Sequence, residues 1–289
     1  MSVVKSCKRM LQVCAYDVVY GLTDRRNWCI VGILMIFLHL NIRDLAVFSY
    51  KAGHRMTIWL FPFIMTTRIV RLVVVLLYVF LICEAPFLTV QSPYVIVRCG
   101  RQDYFKGKIL LLIVSSVGYF LMIGLAAPLM FFRQMELSMD WGKVYGTIGN
   151  GFAGNDLLYT IKINAKIVNG MLPLKAFFLS FSLSVMMGVL IGLLICFINM
   201  VSKSKFAGVL VCSFFAFFDF FMQTFDYLRD GHLVMLSWFS WSDIRYLDFR
   251  GNTPYPTFSE ACLFYMILIA VLILAIMRFH RKYDITISV

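Results

Sequence analysis

Four apolar runs, at 109–131, 177–200, 206–227 and 258–277, constrain this chain more than any other feature. A helix crosses the hydrocarbon core of a bilayer in about 20 residues. In lipid the backbone must satisfy its own polar groups, which leaves helices or closed barrels. The runs lack the alternation of a barrel strand, so the expectation is helical. Two weaker runs join them. Residues 69–85 centre on Val73, Val74, Val75, Leu76 and Leu77. Residues 28–40 are short, and must extend past Asn41, Ile42, Arg43 and Asp44 toward Phe48 to cross with ease. Hydrophobic residues make up 61% of the 289 and charged ones 15%, more apolar surface than a soluble domain of this length could bury. The expected fold is all-α: a polytopic membrane bundle of six spans with both termini cytoplasmic. A five-span alternative has 28–40 only dipping into the membrane, with 41–67 inside.

The net charge of +12 invites a nucleic-acid reading, but the basic residues cluster beside apolar runs. Such clusters orient spans and meet anionic headgroups, so the expected partner is the lipid bilayer and not nucleic acid. In the six-span arrangement the inside segments (1–26, 87–108, 200–206, 278–289) hold 14 Lys and Arg in 67 residues, and the outside segments (42–66, 132–172, 228–258) hold 10 in 97. Arg68, Arg71 and Lys175 lie at outer span ends and weaken the contrast. The expected organisation is a cytoplasmic N-terminus at 1–26 followed by a six-span domain at 27–289, with a cytoplasmic elbow at 87–108.

Residues 3–20 have the period of an amphipathic helix. Val4, Cys7, Leu11, Cys14, Ala15 and Val18 share one face and Lys5, Lys8, Arg9 and Gln12 the other, which suits a helix lying in the inner headgroup plane. A second amphipathic stretch, 156–168, is expected to form a small surface helix beyond the third span. Gly118, Gly124, Ala126 and Ala127 in that span permit close helix approach. Trp238, Trp241, Tyr246 and Tyr255 suit an interface belt. The eight cysteines fall in or beside spans or in segments assigned inside, so neither a disulfide framework nor a zinc site is expected. The first apolar run follows 26 polar and amphipathic residues, without the cleavage pattern of a signal peptide.

No phosphate-binding GxxxxGK[ST] is present, since Gly142–Lys143 and Gly107–Lys108 lack its other elements. There is no HExxH. Asp226, Asp230 and His232 could hold a cation or do acid–base work, or could form a solvated loop rim. Asp219, Gln223 and Asp226 fall at i, i+4 and i+7 on one face of a phenylalanine-rich span. A carboxylate in lipid is costly, so this stripe should face the bundle interior, either lining a transport path or bonding helix to helix. Between the second and third spans lies SPYVIVRCGRQDYFKGK, residues 92–108. Ser92 and Pro93 can open a short helix and Gly100 can end it. Arg98, Arg101, Asp103 and Tyr104 would then present a charged knob that a partner could hold; an ordinary positive-inside loop is the alternative.

With this elbow the sequence resembles the ABC-2-type permeases, the membrane subunits of bacterial ABC transporters. The stretch APFLTVQSPYVIVRCGRQDYFKGKILL resembles the family's segment between second and third spans, where a basic stretch precedes a span-initiating lysine. The tail LSWFSWSDIRYLDFRGNTPYPTFSEACLFY, with a span ending in RFHRKYDI, resembles the end of Firmicute permeases. The resemblance implies a bacterial cell-membrane subunit that does no chemistry itself, paired with a second permease, identical or related. Cytoplasmic ABC ATPases would hold ATP and magnesium. It makes 3–20 an interfacial connecting helix and 92–104 a coupling helix docking into the ATPase. The family exports peptides, lipids, glycans or drugs, and an amphipathic peptide is the cargo expected here. A non-transporting scaffold or accessory subunit, and a membrane enzyme at Asp226, Asp230 and His232, are the alternatives from other classes.

Overall fold

The computed structural model describes residues 2–87, 92–151, 161–204, 206–226, 233–249 and 255–279. It is an all-α bundle in which, among the described residues, five helices are long and apolar enough to cross a membrane. They are α2 (Arg25–Ala52), α6 (Arg101–Met130), α9 (Pro173–Ser202), α10 (Ala207–Asp226) and α11 (Phe258–Phe279). Before and between them lie α1 (Ser2–Thr23), α3 (Phe61–Thr66), α4 (Arg68–Leu81), α5 (Ser92–Cys99), α7 (Gly142–Gly149) and α8 (Ala165–Gly170).

The first apolar run is not short. Asp24 caps α2 by accepting from the Arg26 amide at 3.0 Å, and the helix runs on for 28 residues until Gly53, at φ +66°, stops it. Its 28 residues give about 42 Å, enough to cross rather than dip. The polar cluster in mid-run is absorbed by geometry: Asn41 is buried and donates to the Phe37 carbonyl at 2.7 Å, while Arg43 and Asp44 point outward. Leu34, Leu38, Ile42, Leu45 and Ala46 form the buried stripe. The loop expected at 42–66 shrinks accordingly.

The second run behaves in the opposite way. The chain breaks at Thr67, in extended backbone, leaving α4 with only 14 residues. That is about 21 Å, short of the hydrocarbon core. Even so α4 runs between the two ends of the bundle. Arg71 at its start meets α10 near that helix's C-terminal end, and the turn at its end is held by Asn199 near the end of α9. Asn199 donates to the carbonyls of Cys83 (3.1 Å) and Ala85 (2.8 Å) and accepts from the Gly208 amide (2.8 Å), so one buried amide ties α9, α10 and this turn together.

The long helices α6 and α9 lie antiparallel and cross closely. Ser116 donates to the Val185 carbonyl at 2.9 Å, and a Cβ on Gly188 would fall 2.4 Å from the Ser116 hydroxyl and 2.7 Å from the Phe120 ring. Lipid tails are as apolar as the side chains they touch, so such van der Waals fit carries the association. Of the small residues singled out in α6, Gly124 packs against Phe177 and Phe61, and Ala126 and Ala127 are buried, but Gly118 faces outward with nothing near it. The closest contact comes from Ser116 and Gly188 instead. Gly188→Leu is expected to overpack this crossing and cost about 1–3 kcal/mol, read as a lowered thermal midpoint in detergent; Gly118→Leu should leave the midpoint unchanged.

At the end of the bundle away from α5, the loops close over one another. Met56–Thr57 pairs in parallel with Met135–Glu136. Trp59 donates to the Ser138 carbonyl (2.7 Å), Tyr145 to Thr57 (2.8 Å) and Trp141 to Met171 (2.8 Å). The surface helix expected over 156–168 begins only at Ala165, capped by Asn164, while 152–160 lie outside the described residues.

Candidate functional site

Among the described residues, two clusters of buried charge interrupt the apolar interior. The first lies at the loop-covered end and is built on Arg71, in the first turns of α4. Its guanidinium donates to Asp243 at 3.1 Å, to the Ser242 hydroxyl at 3.0 Å and to the Phe239 carbonyl, and lies 3.7 Å from Asp219. Asp219 also accepts from Ser237 (2.7 Å), Ser240 and Gln223 (2.9 Å). Gln223 in turn accepts from Arg245 at 3.1 Å, and Arg245 closes the circuit on Asp243. Arg71, Asp219, Gln223 and Asp243 are all buried. Burial opposes the charge of Arg245, but the Asp243 carboxylate outweighs it and holds the guanidinium above its usual range.

Two arginines thus face two aspartates, and every polar partner is a side chain or a carbonyl of the same fold. This is the condition under which buried charge is tolerated. Asp219 and Gln223 do share one face and do point inward, as their spacing predicts. However, they do not line an open path. The gap bordered by Arg71, Asp219, Gln223 and Phe239 measures about 10 Å³, room for about one water. The side chain of Asp226, and Asp230 and His232 entirely, lie outside the described residues. Arg71, Asp243 and Arg245 are the members that sequence reasoning missed. Arg71 carried a signal, because an arginine in the first turn of an apolar run needs an acid as much as Asp219 needs a base.

The second cluster gathers at the elbow end. The short helix α5 spans Ser92–Cys99, and Gly100, at φ +85°, turns the chain directly into α6. Residues 101–108 are therefore the first two turns of α6, not part of a separate loop. The expected charged knob is largely folded inward. Tyr104 is buried and donates to the buried Ser92 hydroxyl at 2.9 Å. Asp103 accepts from Ser6 and lies 4.0 Å from Arg9, both on α1. Arg101 is half-buried, and Arg98 alone of the five is exposed. The tip that α5 offers to solvent is Tyr94, Val97 and Arg98, with Val97 88% exposed.

Helix α1 braces this unit. Lys108, buried in α6, donates to Asp17 at 2.9 Å and to the Phe87 carbonyl at 3.0 Å, with its ammonium 4.9 Å from the centre of the Tyr104 ring. Burial pushes the Asp17 carboxyl up, and the Lys108 ammonium pulls it back. The helices touch because residue 107 is glycine: a Cβ there would fall 2.8 Å from the Val13 side chain. The face of α1 that packs is therefore Val13, Cys14 and Asp17. Of the apolar face expected from periodicity, Val4, Cys7, Leu11 and Ala15 remain exposed, beside exposed Lys5, Lys8 and Arg9. The helix has three faces: one on α6, one apolar and open, one basic.

Among the described residues no three His, Cys, Asp or Glu side chains gather to hold a metal ion. The fold and these clusters define a multi-pass, all-α membrane protein braced by buried charge at both ends. No family model, curated relative or solved structure matches this chain.

Proposed function

We propose that the chain is the permease subunit of a bacterial ABC transporter, exporting an amphipathic cargo such as a peptide or lipid with ATP hydrolysed by separate cytoplasmic ATPase chains. In this reading it is a cell-membrane protein that makes six passes, α4 among them, with both termini and α5 inside. A second permease, identical or related, completes the pathway. The observation that carries the reading is the braced elbow. Force applied to the exposed tip at Tyr94, Val97 and Arg98 passes through Gly100 into α6, through Ser92–Tyr104 within the elbow, and through Asp103 and Lys108 into α1. A lever of this kind suits a contact that must move a helix bundle without itself yielding. Binding drives such motion only where a partner holds one conformation better than the other.

Affinity purification from native membranes should bring down an ATPase. Val97→Asp and Arg98→Glu should reduce its recovery and the coupled ATP hydrolysis on the order of tenfold or more, as for loss of an interface hot spot, with the thermal midpoint of the permease unchanged. Wild-type recovery and hydrolysis in both variants would remove the coupling assignment. In a variant retaining Cys7 as its only cysteine, a membrane-impermeant thiol reagent should label only after lysis; labelling of intact cells reverses the topology.

One observation favours a second reading, a non-transporting accessory subunit. The intramembrane polar stripe is closed on itself by ion pairs, which a static brace requires and a conduit does not. Transport of any cargo by reconstituted permease and ATPase decides between the two.

A further inference from the structure

Helix α1 spends one face on the bundle and leaves the others open. Val4, Cys7, Leu11, Ala15, Val18 and Leu22 recur every three or four residues. At 100° per residue they fall in a sector of about 80° and run about 27 Å along the helix. Val4 is 75% exposed, Leu11 53% and Leu22 59%; of the six only Val18 is half-buried. The packed face of Val13, Cys14 and Asp17, this stripe, and the polar face of Lys5, Lys8, Arg9 and Gln12 are centred roughly 120° apart. Docking on α6 therefore does not hide the stripe. It fixes which way the stripe points.

The open charge on α1 has one sign. Its one acid, Asp17, is buried against Lys108. Among the described residues only Arg9 of its three cations has a carboxylate near, Asp103 at 4.0 Å. A second copy laid on the stripe would bring lysine toward lysine with no acid between them. An anionic bilayer surface is complementary instead, its acyl chains taking the stripe and its headgroups the ammonium groups. The junction with α2 holds the helix at such a surface. Asp24 is the single residue between the two helices. Trp28, in the first turn of α2, donates to the Leu22 carbonyl at 2.7 Å, and Asn27 donates to the Gly21 carbonyl at 2.8 Å. Trp28 is itself exposed, so at Leu22 the stripe meets the open surface of a helix long and apolar enough to cross the membrane.

We propose that α1 is an anionic-lipid clamp. Its stripe and the edge carrying Lys5 and Lys8 bind acidic phospholipid, while Asp17 holds the same helix on α6. Periodicity places a helix in the headgroup plane; the fold adds that one helix meets bundle and bilayer at once, through different faces. A lipid that binds the stripe in the orientation docking sets also stabilises docking, so the two contacts reinforce each other. The inference rests on α2 crossing the bilayer and not on the permease reading.

The test places the purified full chain in nanodiscs of phosphatidylcholine, alone or mixed equally with phosphatidylglycerol. Proteinase K cleavage within residues 2–23 is the readout. Phosphatidylglycerol should slow it at least about fivefold, the scale of one lysine at an anionic surface, and high salt should erase much of the difference. Lys5→Gln with Lys8→Gln should lose most of this protection, and so should Leu11→Gln with Leu22→Gln. Both pairs face away from α6, so the thermal midpoint of the bundle should stay at the wild-type value. Lys108→Met should gain less protection from phosphatidylglycerol than wild type, because docking no longer presents the stripe. Equal cleavage in the two discs, or undiminished protection in both double variants, overturns the proposal. Disulfide cross-linking of Cys7 to Cys7 of a second copy, at the same yield in both discs, assigns the stripe to that copy and overturns it too.

Discussion

Replacing Arg71 with methionine is expected to cost about 3–5 kcal/mol, the usual penalty for removing one partner of a buried ion pair. Arg71 is 2% exposed, and its guanidinium answers two carboxylates, Asp243 at 3.1 Å and Asp219 at 3.7 Å, as well as the Ser242 hydroxyl and the Phe239 carbonyl. Methionine fills much of the same space but leaves one negative charge in excess, because Arg245 balances only Asp243. Marginal stability makes a loss of this size visible as poor yield and a sharply lowered thermal midpoint. The double variant Arg71→Met with Asp219→Asn removes the excess charge and should recover a large part of the loss, since buried pairs replaced together are often close to neutral. A single variant with wild-type stability would show that the network is not what holds α4, α10 and the 237–245 loop together.

The second large effect is expected at Lys108. Its ammonium is the cation facing Asp17 across the α1–α6 contact, with N–O distances of 2.8 and 2.9 Å. Lys108→Met leaves the Asp17 carboxylate buried at a cost again of about 3–5 kcal/mol. Here the loss need not be global. Helix α1 is joined to the bundle mainly along Val13, Cys14 and Asp17, so it can relieve the charge by undocking and exposing Asp17 to water. The expected result is faster proteolysis within residues 2–23 and a smaller fall in the midpoint of the remaining bundle. Asp17→Leu combined with Lys108→Met should re-dock the helix. Gly107→Val should free α1 with Asp17 and Lys108 both retained, since its side chain would strike Val13. Unchanged protease resistance in both Lys108→Met and Gly107→Val would mean that other contacts hold α1. If the elbow couples to an ATPase, the undocked variants should also uncouple hydrolysis, because the lever loses its brace.

Much of the architecture is legible before any coordinates. Each strong apolar run becomes a helix of the expected kind, because length and composition alone decide whether a segment belongs in lipid. The end of α5 at Gly100 follows from local backbone chemistry. So does the common face of Asp219 and Gln223, since helical spacing is a local property. The failures are as specific. The 69–85 run has the hydropathy of a span, but its helix is bounded by the break at Thr67 and stops at Leu81, after 14 residues. The 28–40 run looks too short, but its polar interruption is carried inside a 28-residue helix by Asn41 bonding to Phe37 and by outward-facing Arg43 and Asp44. Of the face of α1 read as apolar, Cys14 packs on α6, but Val4, Cys7, Leu11 and Ala15 stay exposed.

The sequence by itself determined that this chain belongs in a membrane, that it is helical, and where its main helices run, because the cost of exposing or burying each residue type is paid segment by segment. Only the tertiary structure decided what the charges do. Arg71 reaches Asp243, 172 residues away, and Lys108 reaches Asp17, 91 residues away. Local periodicity ranks a residue as polar but cannot name its partner across such distances. For that reason the elbow looked like an exposed knob and the Asp219 stripe like an open lining. In the folded chain most of the first and all of the second that is described are turned inward, where opposite charges and carbonyls replace the water that each group gave up.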